Sequence, residues 1–274
     1  MSLMRKIVHE AYENRCFELE VAKALRSGLA KPPVYLSVGT EHIPVVLKNS
    51  LCEAGVKDYV IFPQHRCHSY FLTFSEDKKE AMASLRDELC GLDTGCGKGM
   101  WGSASLHVKD KLIGHNGHLG SQASIACGYA QATGEKVICI LGDAACEEDD
   151  VLASLGYAAT HKLNIMFLVE NNGLSILTQT EVRRSWTTWD VAKGFGLKTD
   201  SVGDTIDGLS GVFEEYLDMK KPCLLDIECC RHLWHAGAGT DGPPQWDTLK
   251  DTLSLLPMSE QLRIEQEVED LWKQ

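Results

Sequence analysis

The chain has 274 residues, 44% hydrophobic and 24% charged, which is enough to bury a full core and far from the composition of a disordered segment. Its formal net charge of −12 excludes general binding to nucleic acid or acidic membranes, because phosphate affinity comes from Lys and Arg. Its 11 cysteines contain no CxxC pair, no apolar run approaches the roughly 18 residues that span a bilayer, and no secretory signal is visible, so reduced thiols in a cytoplasmic protein are expected.

The first element is a helix over 5–27: Ile7, Ala11, Cys16, Leu19, Val21 and Leu25 fall near one face, and Gly28 gives a stop. Gly39-Thr40-Glu41 leads into a second helix over 43–51. Tyr59-Val60-Ile61-Phe62, closed by Pro63, reads as a short buried strand. Residues 91–122 are rich in glycine and histidine and lack periodicity, and long irregular stretches of this kind are usually functional. Apolar residues 137–141 form a buried strand ending at Gly142-Asp143. Acidic Glu147-Glu148-Asp149-Asp150 then opens a helix, as suits the positive end of its dipole, and the run is read as a solvated helix start. Residues 164–169 form the next strand, ending at Glu170-Asn171-Asn172-Gly173. Cys223–Glu228 is a later strand, and the stretch from Ser259 to Trp272 reads as one amphipathic helix. Continuous apolar strands alternating with helices predict an α/β fold, doubly wound, with a mainly parallel sheet covered by helices on both faces. No composition break divides the chain. One domain is expected over 1–274, with a helical N-terminal segment and a short helical tail from about 246.

Ligands of open parallel sheets bind at the carboxyl ends of strands. Asp143 and Asn172 stand at two such ends within one βαβ unit. A carboxylate and an amide carbonyl are hard oxygen ligands suited to Mg2+, and a helix starting after Asp143 would aim free N–H groups at a phosphate. The same residues also suit an N-cap and a turn, so position alone leaves both readings open.

Asn172 follows Asp143 by 29 positions. Gly142-Asp143, a helix, a strand and Asn171-Asn172 closely resemble the thiamine-diphosphate motif, Gly-Asp-Gly followed by Asn-Asn. Other segments come in a matching order. Gly39-Thr40-Glu41 resembles Gly-Gln-Glu, and His65-Arg66-Cys67-His68 resembles Tyr-Arg-x-His. Gly97-Lys98-Gly99, with Gly102-Ser103 and Leu106-His107, resembles Gly-Lys-Gly-Gly-Ser-Met-His. Gly117-His118-Leu119-Gly120-Ser121-Gln122 resembles Gly-Ile-Val-Gly-Ala-Gln. Arg231-His232-Leu233-Trp234-His235 with Asp241 resembles Arg-x-x-Gly-His-Ser ending in Asp. Over roughly residues 35–245 the chain thus resembles the alpha subunits of thiamine-diphosphate-dependent 2-oxo acid dehydrogenases of the pyruvate, acetoin and branched-chain type.

That resemblance implies thiamine diphosphate and Mg2+ as cofactors. It assigns the metal to Asp143, Asn172 and the backbone carbonyl of Leu174. It assigns the cofactor to His65, Arg66, Gly117, Leu119, Gly142, Asp143, Ala144, Ala145, Asn172 and Leu174, with Arg66 on the diphosphate and Leu119 under the thiazolium. His235 and His68 become candidates for proton transfer or for holding a substrate carboxylate. Ylid formation needs a Glu at the aminopyrimidine, expected from the pyrimidine domain of a beta subunit in a heterotetramer, so the lone chain is expected to be inactive. A lipoyl acyltransferase and a small-molecule carbonyl substrate are further expected partners. The N-terminal subunit of a split transketolase ranks lower, since Ala145 stands where transketolases usually carry Glu. A non-catalytic relative has only Ala144 and Ala153 in its support. Departures from the family pattern are Ala144 for Gly, which requires a negative φ there, His65 for Tyr, Asp149 for Gly, and the extra Met100 and Trp101.

Overall fold

A computed structural model describes residues 2–273. In chain order its elements begin with α1 (Leu3–Ser27), α2 (His42–Glu53), β1 (Tyr59–Phe62), α3 (His68–Phe74) and α4 (Lys78–Cys90). A long irregular stretch leads to α5 (Gln122–Thr133), β2 (Lys136–Gly142), α6 (Asp149–His161) and β3 (Ile165–Asn171). Then come β4 (Leu174–Ser175), β5 (Thr178–Gln179), α7 (Thr180–Arg183), α8 (Thr188–Gly194), β6 (Lys198–Gly203), α9 (Ile206–Leu217) and β7 (Cys223–Glu228). The chain continues with α10 (Thr248–Thr252) and α11 (Met258–Trp272). Two compact units result: Met1–Lys48 with His65–Val108 and Cys230–Gln274, and Asn49–Gln64 with Lys109–Cys229. Among the described residues no helix is long and apolar enough to cross a membrane.

The second unit holds a five-stranded sheet of order β1-β2-β3-β7-β6, parallel throughout. Residues 137–141 of β2 and 165–169 of β3 are fully buried, as continuous apolar runs require of strands covered on both faces. On one face Ala123, Ala126, Cys127 and Ala130 of α5 and Val151, Leu155 and Ala158 of α6 close over Cys139, Leu141, Phe167 and Val169. The mainly parallel α/β architecture expected from the sequence is therefore present. The polar strand β6 was not expected; it lies at the sheet edge, where its residues are largely solvated, and so carries no apolar run. Helix α6 also starts later than expected. A 3-10 turn over Ala145–Glu147 separates it from Asp143, and Glu148 is its N-cap.

In the first unit Ser2 caps α1 and Gly28 ends it at φ 78°. Helix α11 packs along α1: Glu260 bonds Arg5 and His9, Glu265 accepts from the Tyr12 hydroxyl, and the rings of Phe17 and Trp272 stand 5.7 Å apart. Gly39 has φ 110°, and a Cβ there would lie 2.0 Å from the Cys230 carbonyl oxygen, so no other residue fits. Helices α3 and α4 were not read from the sequence. Every residue of α3 is buried, so it shows no amphipathic pattern, whereas α4 is capped by Asp77, which accepts the Glu80 N–H. All 11 cysteines are free thiols and most are buried, where they pack as small hydrophobes.

Candidate functional site

In the sheet unit, Gly142 pairs with Glu170 across β2 and β3, so Asp143 and Asn172 leave neighbouring strand ends together. Asp143 is buried. Its Oδ2 accepts from Arg183 Nη2 at 2.7 Å and Thr180 Oγ1 at 3.0 Å, both presented by α7. Arg183 Nη1 also reaches Glu147 Oε1 at 2.9 Å, so this member of the acidic run is an ion-pair partner rather than a solvated residue. The Arg184 guanidinium, its side chain 3% exposed, lies 4.6 Å over the Trp186 ring and 3.7 Å from Glu147. Its Nε and Nη1 have no hydrogen-bond partner among the described residues. Trp189, by contrast, packs against the sheet core.

The two asparagines form consecutive side-chain turns. Asn171 Oδ1 accepts the Gly173 N–H and Asn172 Oδ1 accepts the Leu174 N–H, each at 3.1 Å. Asn171 Nδ2 donates to Asp226 on the adjacent β7 at 3.1 Å. Burial pushes the Asp226 carboxyl up to about 6, against the Asn171 bond and the Arg184 charge, which pull it down. Ala144 has φ −69°, so its methyl sits where any L-residue can. Gly117 has φ 92° and donates its N–H to His115 Nδ1 at 2.9 Å; Leu119 is 42% exposed. A buried carboxylate beside an amide oxygen suits a hard divalent cation, and a buried guanidinium with unused donors suits a phosphate. The residues present therefore fit a metal–diphosphate group.

In the other unit, His65 and His235 meet at 5.4 Å between ring centroids. Burial, followed by the cations of Arg66 and Arg231, pushes His235 down to about 4 and keeps it neutral near pH 7. Arg231 is ion-paired with Asp241. Arg66 is buried and donates from Nη1 to the Leu36 carbonyl at 2.9 Å. His68 is fully buried, with Nδ1 bonded to Glu18 Oε1 at 2.9 Å and Nε2 to the Ser103 hydroxyl at 2.8 Å.

The family described as "Dehydrogenase E1 component" matches residues 17–240, most of the chain. The chain belongs to that family. The pyruvate dehydrogenase E1 component subunit alpha of Zymomonas mobilis is 28% identical over 244 residues, covering 85% of this chain and 66% of that protein. The alpha subunit of acetoin:2,6-dichlorophenolindophenol oxidoreductase of Cupriavidus necator is 32% identical over 153 residues, covering 53% of this chain and 43% of that one. The chain thus spans about two thirds or less of the length of these relatives. Among solved structures, transketolase from Campylobacter jejuni aligns with all of this chain and 49% of its own, at TM-score 0.65 and 16% identity, and shares the fold.

Within this E1-family chain, the sequence candidates fall into two groups. Gly117, Leu119, Gly142, Asp143, Ala144, Ala145, Asn172 and Leu174 lie in the sheet unit, and His65, Arg66, His68 and His235 in the other. Sequence reading passed over Thr180, Arg183, Arg184, Asp226 and Glu18. The adjacent arginines just after the Asn-Asn turn were the one available signal. Thr180 and Glu18 touch the candidates Asp143 and His68, and Asp226 touches Asn171, only through tertiary contacts.

Proposed function

We propose that this chain is the alpha subunit of a thiamine-diphosphate- and Mg2+-dependent enzyme that acts on a 2-oxo acid or a related carbonyl donor. The observation that carries the reading is a buried carboxylate, Asp143, and Asn172 at neighbouring strand ends beside the under-bonded Arg184. Asp143, the Asn172 side chain and the Leu174 carbonyl would hold the metal. Arg183 and Arg184, with the backbone at Gly142, Ala144 and Ala145, would hold the diphosphate. The turn at Gly117 with Leu119 would support the cofactor's ring, and for Arg66 and His65 a cofactor role rests on the Tyr-Arg-x-His resemblance alone.

When bound, thiamine diphosphate supplies the carbon nucleophile and electron sink for cleavage beside a carbonyl. A neutral His235 is a weak base but a competent hydrogen-bond partner, which favours orienting the substrate's carbonyl or carboxylate over taking a proton in the resting state. His68, held at both nitrogens, keeps Ser103 in place. Relatives named as alpha subunits support a second subunit, and the resemblance assigns to it the carboxylate at the aminopyrimidine. A lipoyl acyltransferase is the acceptor the resemblance implies.

The test combines the chain with the subunit encoded beside its gene, thiamine diphosphate and Mg2+. Reduction of dichlorophenolindophenol is followed with 2-oxo acids and acetoin, and ketol transfer with ketose phosphates. Turnover of a 2-oxo acid or acetoin by the pair, and none by this chain alone, is expected. Ketol transfer alone would replace the reading with a split transketolase. Silence on every donor by a pair that binds the cofactor would leave the non-catalytic relative.

A further inference from the structure

The ring cluster containing His65 and His235 has a third member, Tyr35, which belongs to none of the family-like segments. Its ring centroid lies 4.8 Å from His65 at an interplanar angle of 87°, and 5.5 Å from His235 at 68°. These are edge-to-face arrangements, in which the positive edge of one ring meets the negative face of the other. The Tyr35 backbone is pinned: its N–H donates to Ser103 Oγ at 2.8 Å. That hydroxyl meets His68, and His68 meets Glu18, whose second oxygen accepts the Ser37 N–H at 3.2 Å. A buried polar chain thus fixes residues 35 and 37 at two backbone N–H groups. The loop that leads to Ser103 is clamped in turn by Glu88, whose carboxylate accepts N–H bonds from Gly97, Gly99, Trp101 and Gly102 at 2.7–2.9 Å. The charged groups facing His235 are Arg66, which bonds the Leu36 carbonyl, Arg231, and its partner Asp241.

We propose that Tyr35 is the positioning residue of the His65–His235 pair: its ring, anchored through Ser103, His68 and Glu18, sets the orientation of the His235 imidazole and shields it from water. The importance of His235 for catalysis rests on the function proposed above. Its placement by Tyr35 does not, so the test reads the imidazole directly.

The full chain is labelled with 15N-histidine, and its ring resonances are followed between about pH 5 and pH 8, the range in which an ordinary histidine titrates. His235→Ala identifies the resonance. In the native chain His235 should stay neutral across this window. Tyr35→Phe keeps the ring and should leave it so. Tyr35→Ala admits water and should bring the His235 midpoint up into the window by more than about one pH unit, a tenfold change in proton affinity. The His68 resonance reports that the chain remains folded, since Ser103 links His68 to the backbone N–H of residue 35, which every substitution keeps, and not to its ring. Should Tyr35→Ala fail that check, Tyr35→Gln carries the same comparison, since it keeps some volume but replaces the ring with a hydrated amide. A folded Tyr35→Ala or Tyr35→Gln chain in which His235 stays neutral across the window overturns the proposal, whatever reaction the enzyme performs.

Discussion

Asp143 and Asp226 are two buried carboxyls with opposite surroundings. Asp143 meets Arg183 and Thr180 directly, whereas among the described residues Asp226 has only an amide of Asn171 as its side-chain hydrogen-bond donor, and burial dominates. The Asp226 carboxyl therefore titrates at about 6 in the folded chain, against 3.8 as its ordinary value. A raised acid binds more protons folded than unfolded between those two values, so its contribution to stability falls as pH rises from 3.8 towards 6. The cost at neutral pH is on the order of 3 kcal/mol, from about 1.4 kcal/mol per pKa unit. Asp226→Asn keeps an oxygen for Asn171 and removes the buried charge. It is expected to stabilise the chain at pH 7.5 by roughly 1–3 kcal/mol in urea unfolding, with the gain vanishing near pH 4. A variant less stable than the native chain at pH 7.5 would mean that the Asp226 charge is needed by Arg184.

The elements show why some of this was legible in sequence and some was not. Strands β2 and β3 are buried on both faces, so their apolar runs announced them, and the residues that follow each run marked the sheet's ligand-binding end. Ala144 was read as tolerable only at negative φ, and it is at −69°. The edge strand β6, the fully buried helix α3 and the short helix α7 carry no such periodic signal. Arg183 was invisible for that reason: its importance depends on a four-residue helix following a two-stranded hairpin. The glycine loop after α4 was legible as irregular but not as ordered. Its order comes from Glu88, placed in the last turn of α4 so that both carboxylate oxygens face four backbone N–H groups. A charged acceptor strengthens each of those bonds. Glu88→Gln offers one oxygen and turns an amide donor onto two N–H groups. Hydrogen exchange at Gly97, Gly99, Trp101 and Gly102 is expected to accelerate by roughly tenfold or more, equivalent to the 1.5–3 kcal/mol typical of bonds to charged groups, while β2 and β3 stay protected. Unchanged exchange in the loop would show that Glu88 does not hold it.

At the scale of the whole molecule, membership in the dehydrogenase E1 component family and the shared transketolase fold agree with a sheet whose carboxyl ends carry a buried acid, an amide oxygen and two arginines. We propose that these groups bind thiamine diphosphate through a divalent metal. The departures at His65, Met100 and Trp101 lie outside the sheet unit. Arg66 offers a fork of donors that a lysine cannot reproduce, so Arg66→Lys is expected to weaken cofactor binding by about tenfold or more, and an unchanged affinity would leave Arg66 as an internal brace of the Leu36 carbonyl. The most direct measurement is calorimetric titration of the chain, assembled with its second subunit, with thiamine diphosphate in Mg2+ and again in excess chelator. Binding that needs the metal, and that Asp143→Ala abolishes while leaving the assembly folded, is the result predicted. Equally tight binding without the metal, or binding that survives Asp143→Ala, would rule out a metal-mediated diphosphate site at Asp143.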